Sequence, residues 1–202
     1  MRELVQRGEQ LIAYNTEEFR PQIEQSGAVF RAYPTIDMTT VMISHLLQDG
    51  NLATMTELIL RTTEQLLPFM LEELAREQPD LVIFDMIALW GKMATTQLGG
   101  RAATSFSVFV MDEHHIRPLD VLPMLWHVLP KLPGILSRRR RLMARYGAAY
   151  PSAQPLFPLR DSLNIVYTAR DLQPDTPLID ETFSFVGPSI DPQTRSEPFP
   201  LE

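Results

Sequence analysis

Residues 79–100, PDLVIFDMIALWGKMATTQLGG, constrain what this chain can fold into more than any other stretch. Leu81, Val82, Ile83 and Phe84 follow a Pro-Asp breaker without polar alternation, the pattern of a strand buried on both faces of a parallel sheet. Asp85 closes the run. A helix is predicted over 89–98, ended by Gly99 and Gly100, and a further strand over 102–110. In open α/β sheets, ligands occupy the crevice outside the carboxyl ends of the strands. A carboxylate just past such a strand is therefore well placed for chemistry.

The same alternation runs through the rest of the chain. Leu4 and Val5 have helical spacing that ends at Gly8, and 11–14 reads as a strand. Thr16 stands before Glu17, Glu18 and Phe19 as an N-cap would, the helix it opens stops at Gly27, and 29–33 is a second strand. Over 54–77, Leu58, Leu66, Met70, Leu71 and Leu74 keep one face apolar, which predicts a long helix with a kink at Pro68. Four prolines between 111 and 134 predict short helical pieces and loops, followed by a basic helix over 138–146 and strands over 163–167 and 183–186. The expected fold is α/β, a Rossmann-like, doubly wound, mainly parallel sheet.

Both ends read as open. A helix on a parallel sheet normally crosses between two strands, so the helix holding Leu4 and Val5 implies an earlier strand. In the order 3-2-1-4-5 that strand is central, and its absence predicts a gap inside the sheet. Pro188, Pro192, Pro198 and Pro200 predict a semi-extended linker over 188–202, leaving 1–187 as one domain.

Composition narrows the function. The 202 residues carry a net charge of −7, which argues against a nucleic-acid surface, since phosphate binding needs a positive field. There is no cysteine, hence no disulfide framework and no thiolate zinc site. No apolar run is long enough for a membrane span, and the first residues lack the apolar core of a signal peptide, so a cytoplasmic location is expected. GxGxxG, GxxxxGK[ST] and GxSxG are all missing, which removes the usual support for a dinucleotide enzyme, a P-loop NTPase and an α/β-hydrolase.

Three blocks, RELVQRGEQLIAYNTEEFRPQIEQSGAVFRAYP at 2–34, PDLVIFDMIALWG at 79–91 and LNIVYTARDLQPDTPLIDETFSFVGPSI at 163–190, carry a resemblance. In order and interval they resemble the N-terminal half of the UDP-glycosyltransferases, specifically the bacterial macrolide-type glycosyltransferases. The resemblance implies one of the two facing Rossmann-like domains of a GT-B fold, the one that binds the acceptor. It also implies metal-independent, inverting transfer of a hexose from a UDP-sugar to a hydroxyl of a small lipophilic acceptor. The UDP-sugar is a co-substrate held mainly by the other half, and no cofactor is expected. In that family a histidine after the first strand takes the acceptor proton while an aspartate orients it, a division of labour shared with catalytic triads. Asp85 matches the aspartate. The strand and loop of the histidine, and the nucleotide-binding half, are not in this sequence.

Several residues have a plainer reading beside the sharper one. Asp85 is also the residue type expected at a helix N-cap. Trp90, Phe106, Phe109 and Met111 are candidates to line an apolar acceptor pocket, and each serves equally as core. Asp112, Glu113, His114 and His115 do not make a metal site, because adjacent histidines point in different directions. His45 and His127 stand alone on apolar stretches and are assigned no catalytic role. Arg138–Arg141 with Arg145 reads as a solvated helix face; joined with Leu122, Leu125, Trp126 and Leu129, it would make a peripheral membrane contact. The rival to an enzyme is a non-catalytic module of the same fold that sequesters a hydrophobic ligand. A phospho-acceptor aspartate is a distant third, lacking its acidic pair and lysine.

Overall fold

The computed structural model describes residues 1–34, 52–110, 129–153 and 156–189. Its contacts separate two compact units, Met1–Gln48 and Asp49–Glu202, where the sequence predicts one domain over 1–187. The described strands form two all-parallel ladders, one of two strands and one of four.

In the first unit, helix α1 (Arg2–Gln6) and helix α2 (Arg20–Gln25) alternate with strands β1 (Ile12–Asn15) and β2 (Val29–Ala32). Ile12 pairs with Val29 and Asn15 with Ala32. Ile23, Ala28 and Phe30 form the core, with Leu11, Ala13, Phe19 and Ala32 against it. Gly27 is required here. Its φ is +86°, and a Cβ at that position would lie 2.9 Å from Val5 Cγ1, so a larger residue would be strained by its backbone and crowded by α1. Thr16 precedes a short 3-10 turn, Glu17–Phe19, without a side-chain cap bond.

The second unit begins with helix α3 (Leu52–Glu77), which runs through Pro68. Strand β3 (Val82–Asp85), helix α4 (Leu89–Leu98) and strand β4 (Ala102–Phe106) follow. The α4 boundaries are those the sequence predicts. Gly99 adopts a left-handed φ of 69°, and the Gly100 N–H returns to the Thr95 carbonyl at 3.0 Å, closing the helix as a glycine end does. Helix α5 (Leu132–Tyr146) starts earlier than the prediction of 138–146, because Pro133 sits in its first turn, where a missing N–H costs nothing. Strands β5 (Asn164–Val166) and β6 (Phe183–Phe185) complete the order β3-β4-β5-β6.

Parallel register places Phe84, Thr104, Phe106, Asn164, Val166 and Phe183 on one face of this ladder, all of them buried. Phe106 and Phe183 rings meet at 5.5 Å there. The other face carries Ile83 and Asp85 beside Ala103 and Ser105. The expectation that both faces of β3 are buried is corrected: Leu81 and Ile83 are 46% and 48% exposed. They stand on an end strand of the ladder, and the described residues leave their side chains uncovered. The predicted loops over 111–128, and the linker beyond 189, lie outside the described residues.

Candidate functional site

Asp85 is the last residue of β3, in register with Ser105 of β4. Its carboxylate accepts the Ile87 N–H at 3.1 Å through Oδ1, and its carbonyl accepts the Ala88 N–H at 2.8 Å. This local turn carries the chain from strand to helix. The N-cap of α4 is Ala88, so the cap role foreseen for Asp85 becomes a turn role three residues earlier. Among the described residues no cation pairs with Asp85, and Oδ2 has no hydrogen-bond donor. Withdrawal from water pushes its pKa above the ordinary carboxylate value, while the Ile87 amide works in the opposite direction.

The turn is held from beneath. Gly91, in the first turn of α4, comes so close to β3 that an added Cβ would lie 3.0 Å from Phe84 Cβ. One turn position on, Lys92 is buried and donates to the Arg160 carbonyl and to Asp161 Oδ2, each at 2.7 Å. Its ammonium also lies 5.7 Å from the Phe84 ring centre. At the carboxyl end itself, the Met86 N–H bonds to the Ser105 carbonyl at 3.1 Å and the Met86 carbonyl accepts the Leu159 N–H at 2.9 Å. The Tyr167 N–H bonds to the Phe106 carbonyl at 3.0 Å. The Met86 and Tyr167 bonds fix the rim from which Asp85 projects.

The structure distributes the predicted lining residues unevenly. Phe106 has no exposed surface and packs with Met86, Val110, Val166 and Phe183. Trp90 is buried in α4. Phe109, on the stretch after β4, is 41% exposed. Met111 lies outside the described residues, as do Asp112, Glu113, all four histidines and Leu122, Leu125 and Trp126. Among the described residues no group of three acidic or histidine side chains is close enough to hold a metal ion. Two buried polar residues of this unit, Lys92 and Gln173, carry no mark in the sequence.

Two cavities lie away from Asp85. One, of about 330 Å³, is at the opposite end of β3, lined by Leu74, Gln78, Pro79, Val82, Thr95 and Leu98. The other, of about 210 Å³, is bounded by Arg160, Asp161, Asp180 and Thr182, residues that precede β5 and β6. Neither touches the carboxyl ends of the strands, so cavity size does not mark the site here. The arginine run is also partly engaged. Arg138 and Arg141 both bind Glu64 of α3, Arg141 at 2.8 Å, which leaves fewer cations for an anionic surface than the sequence offers. Among the described residues no helix is long and apolar enough to cross a membrane.

The chain is 26% identical over 189 residues to the NDP-glycosyltransferase YjiC of Bacillus licheniformis, an alignment covering 93% of this chain and 46% of that protein. It is likewise 26% identical over 198 residues to the NDP-glycosyltransferase YjiC of Bacillus subtilis, covering 96% and 47%. The chain is similar to these bacterial glycosyltransferases. It spans about half the length of the curated relatives it matches. No family model matches it. Among solved structures it is similar to the calicheamicin glycosyltransferase CalG4, with a TM-score of 0.70 and 22% identity over 98% of this chain and 50% of that one. That likeness establishes the fold, half of a GT-B architecture. Within this glycosyltransferase-related chain, Asp85 occupies the strand end that α/β folds use for ligands.

Proposed function

We propose that this chain is the acceptor-binding half of a UDP-sugar-dependent hexosyltransferase, with 1–187 as the acceptor domain and 188–202 as its linker to a nucleotide-binding half. The acceptor is a small lipophilic molecule bearing a hydroxyl, and transfer inverts the anomeric carbon without a metal or a resident cofactor. The observation that carries this reading is Asp85: one carboxylate oxygen is fixed by the Ile87 amide and the other is open at the carboxyl end of β3. In the proposed reaction a histidine supplied from outside this sequence takes the acceptor proton, and Asp85 orients that ring and balances the charge it gains. Phe109, with Met111 beyond it, offers apolar surface to the acceptor, while Trp90 and Phe106 pack behind.

Calorimetric titration of the chain separates the roles of the two halves. It is expected to bind a lipophilic hydroxyl-bearing probe such as 2-naphthol and to leave UDP unbound, since no phosphate-cradling glycine-rich turn is present. Saturable UDP binding at micromolar concentrations would overturn the division of labour. Sugar transfer by the complete two-domain protein distinguishes the enzyme from the non-catalytic binding module.

A further inference from the structure

Gln173 is a buried carboxamide with 5% of its surface exposed, just past the 3-10 turn Arg170–Leu172 that follows β5. Its side chain reaches 63 residues back along the sequence to the stretch after β4. There Oε1 accepts the Val110 N–H at 2.9 Å, while Nε2 donates to the Val110 carbonyl at 2.8 Å. The second hydrogen on Nε2 goes to the Pro174 carbonyl at 2.9 Å. The carboxamide thus satisfies both backbone groups of one residue, as a neighbouring strand would, at a point where β4 has already ended at Phe106. Val110 is itself fully buried among Met86, Phe106, Val166 and Phe183, so the same residue is anchored by its side chain and its main chain.

Between that anchor and the end of β4 lie Ser107, Val108 and Phe109, all exposed. Three residues held at both ends have little freedom, and Phe109 is thereby held just past the carboxyl end of β4, the strand that pairs with β3. We propose that Gln173 is a positioning residue for acceptor binding: it ties Val110 in place and so sets the direction of Phe109. This rests on the reading of the strand-end rim as an acceptor site. The carboxamide is demanded by the geometry, because the site needs one acceptor and two donors in one plane. A glutamate there would turn a negative oxygen toward the Val110 and Pro174 carbonyls, and a methionine of similar size would leave all three backbone groups without their partner.

The test uses the full chain and two variants, Gln173→Met and Gln173→Glu. Amide hydrogen exchange at Val110 is expected to rise by about tenfold or more in Gln173→Met, with the Thr104 and Tyr167 amides of the ladder unchanged. Affinity for 2-naphthol, measured by calorimetry, should fall about 3- to 10-fold, the equivalent of one or two net hydrogen bonds. Gln173→Glu supplies a readout that a purely structural role would not move. Its protection at Val110, taken relative to the intrinsic exchange rate at each pH, and its affinity should be poor near neutral pH and recover on acidification, when the protonated carboxyl again has a donor, while the wild-type protection and affinity stay flat. Should Gln173→Met fail to fold, the glutamate variant at the two pH values decides the matter. Unchanged exchange at Val110, or released exchange with unchanged affinity, overturns the proposal. Failure of the wild type to bind 2-naphthol together with a released Val110 in Gln173→Met would instead leave the clamp standing as a purely structural tie, overturning both its role in binding and the acceptor reading.

Discussion

Asp85 joins a structural bond to an open oxygen at the end of a strand. One oxygen secures the turn into α4, and the carboxyl pKa is raised by partial withdrawal from water although the side chain stays exposed at the strand end. A raised carboxyl pKa has a defined sign in stability. Between the unfolded value of 3.8 and the raised folded value, the native state binds more protons, so stability falls as pH rises through that window and stays lower above it. Asp85→Asn keeps an oxygen for the Ile87 amide and removes the charge. Because the side chain is exposed and screened by solvent, the variant should melt only slightly higher than wild type at neutral pH, with the difference vanishing below about pH 4, as scanning calorimetry across pH would show. In the complete two-domain protein the same substitution should lower kcat by about 10²- to 10⁴-fold and acceptor affinity far less, because the charge matters most when an imidazolium forms. Full turnover in Asp85→Asn would reduce the residue to its turn.

Between elements, the tie that stands out joins α3 to α5. Glu64 accepts hydrogen bonds from Arg141 and Arg138, residues 77 and 74 positions away, and Lys131 reaches Glu57 in the same pair of helices at 3.1 Å. Burial alone would raise the Glu64 pKa, but the two guanidinium groups outweigh it and hold the carboxyl below its ordinary value of 4.5. Its contribution is therefore present above pH 4.5 and lost as pH falls through the folded value. Arg141 is more than half exposed and screened by solvent, so Arg138, at 28%, carries more of the effect. Glu64→Gln is expected to cost about 1 kcal/mol at neutral pH, a drop of about 2–4 °C in Tm, with the gap to wild type closing in acid. A gap of the same size at low pH would show that the effect is not electrostatic. This clamp also shows where sequence reading stops. Gly27 and Gly99 were legible as helix ends because φ is a local demand, and Asp85 was legible because strand ends are local too. Arg138 and Arg141 read as a solvated face, and Lys92 and Gln173 went unmarked, because their partners are set by packing between segments far apart in sequence.

At the scale of the molecule, the order of helices and strands followed from period and punctuation, and the parallel pairing followed from their alternation. The division of the described strands into two ladders was not legible, since no residue in β1 or β3 announces which strand it pairs with. What the apolar run 81–84 could not reveal is that its two faces differ. Phe84 is buried against α4, whereas Leu81 and Ile83 are about half exposed, and Val29 at the start of β2 is 47% exposed in its own unit. Exposed β-branched side chains on an end strand invite another chain to pair there, and most native sheets blunt such strands with charge. This chain is therefore expected to bind a hydrophobic dye such as anilinonaphthalene sulfonate in the folded state and to self-associate as its concentration rises. Ile83→Lys should reduce both while leaving the melting midpoint nearly unchanged, because the position contributes little burial. Light scattering and a thermal melt of the two proteins side by side provide the measurement. A wild-type monomer with one sharp melt and no dye binding would mean that this face of β3 is covered in solution.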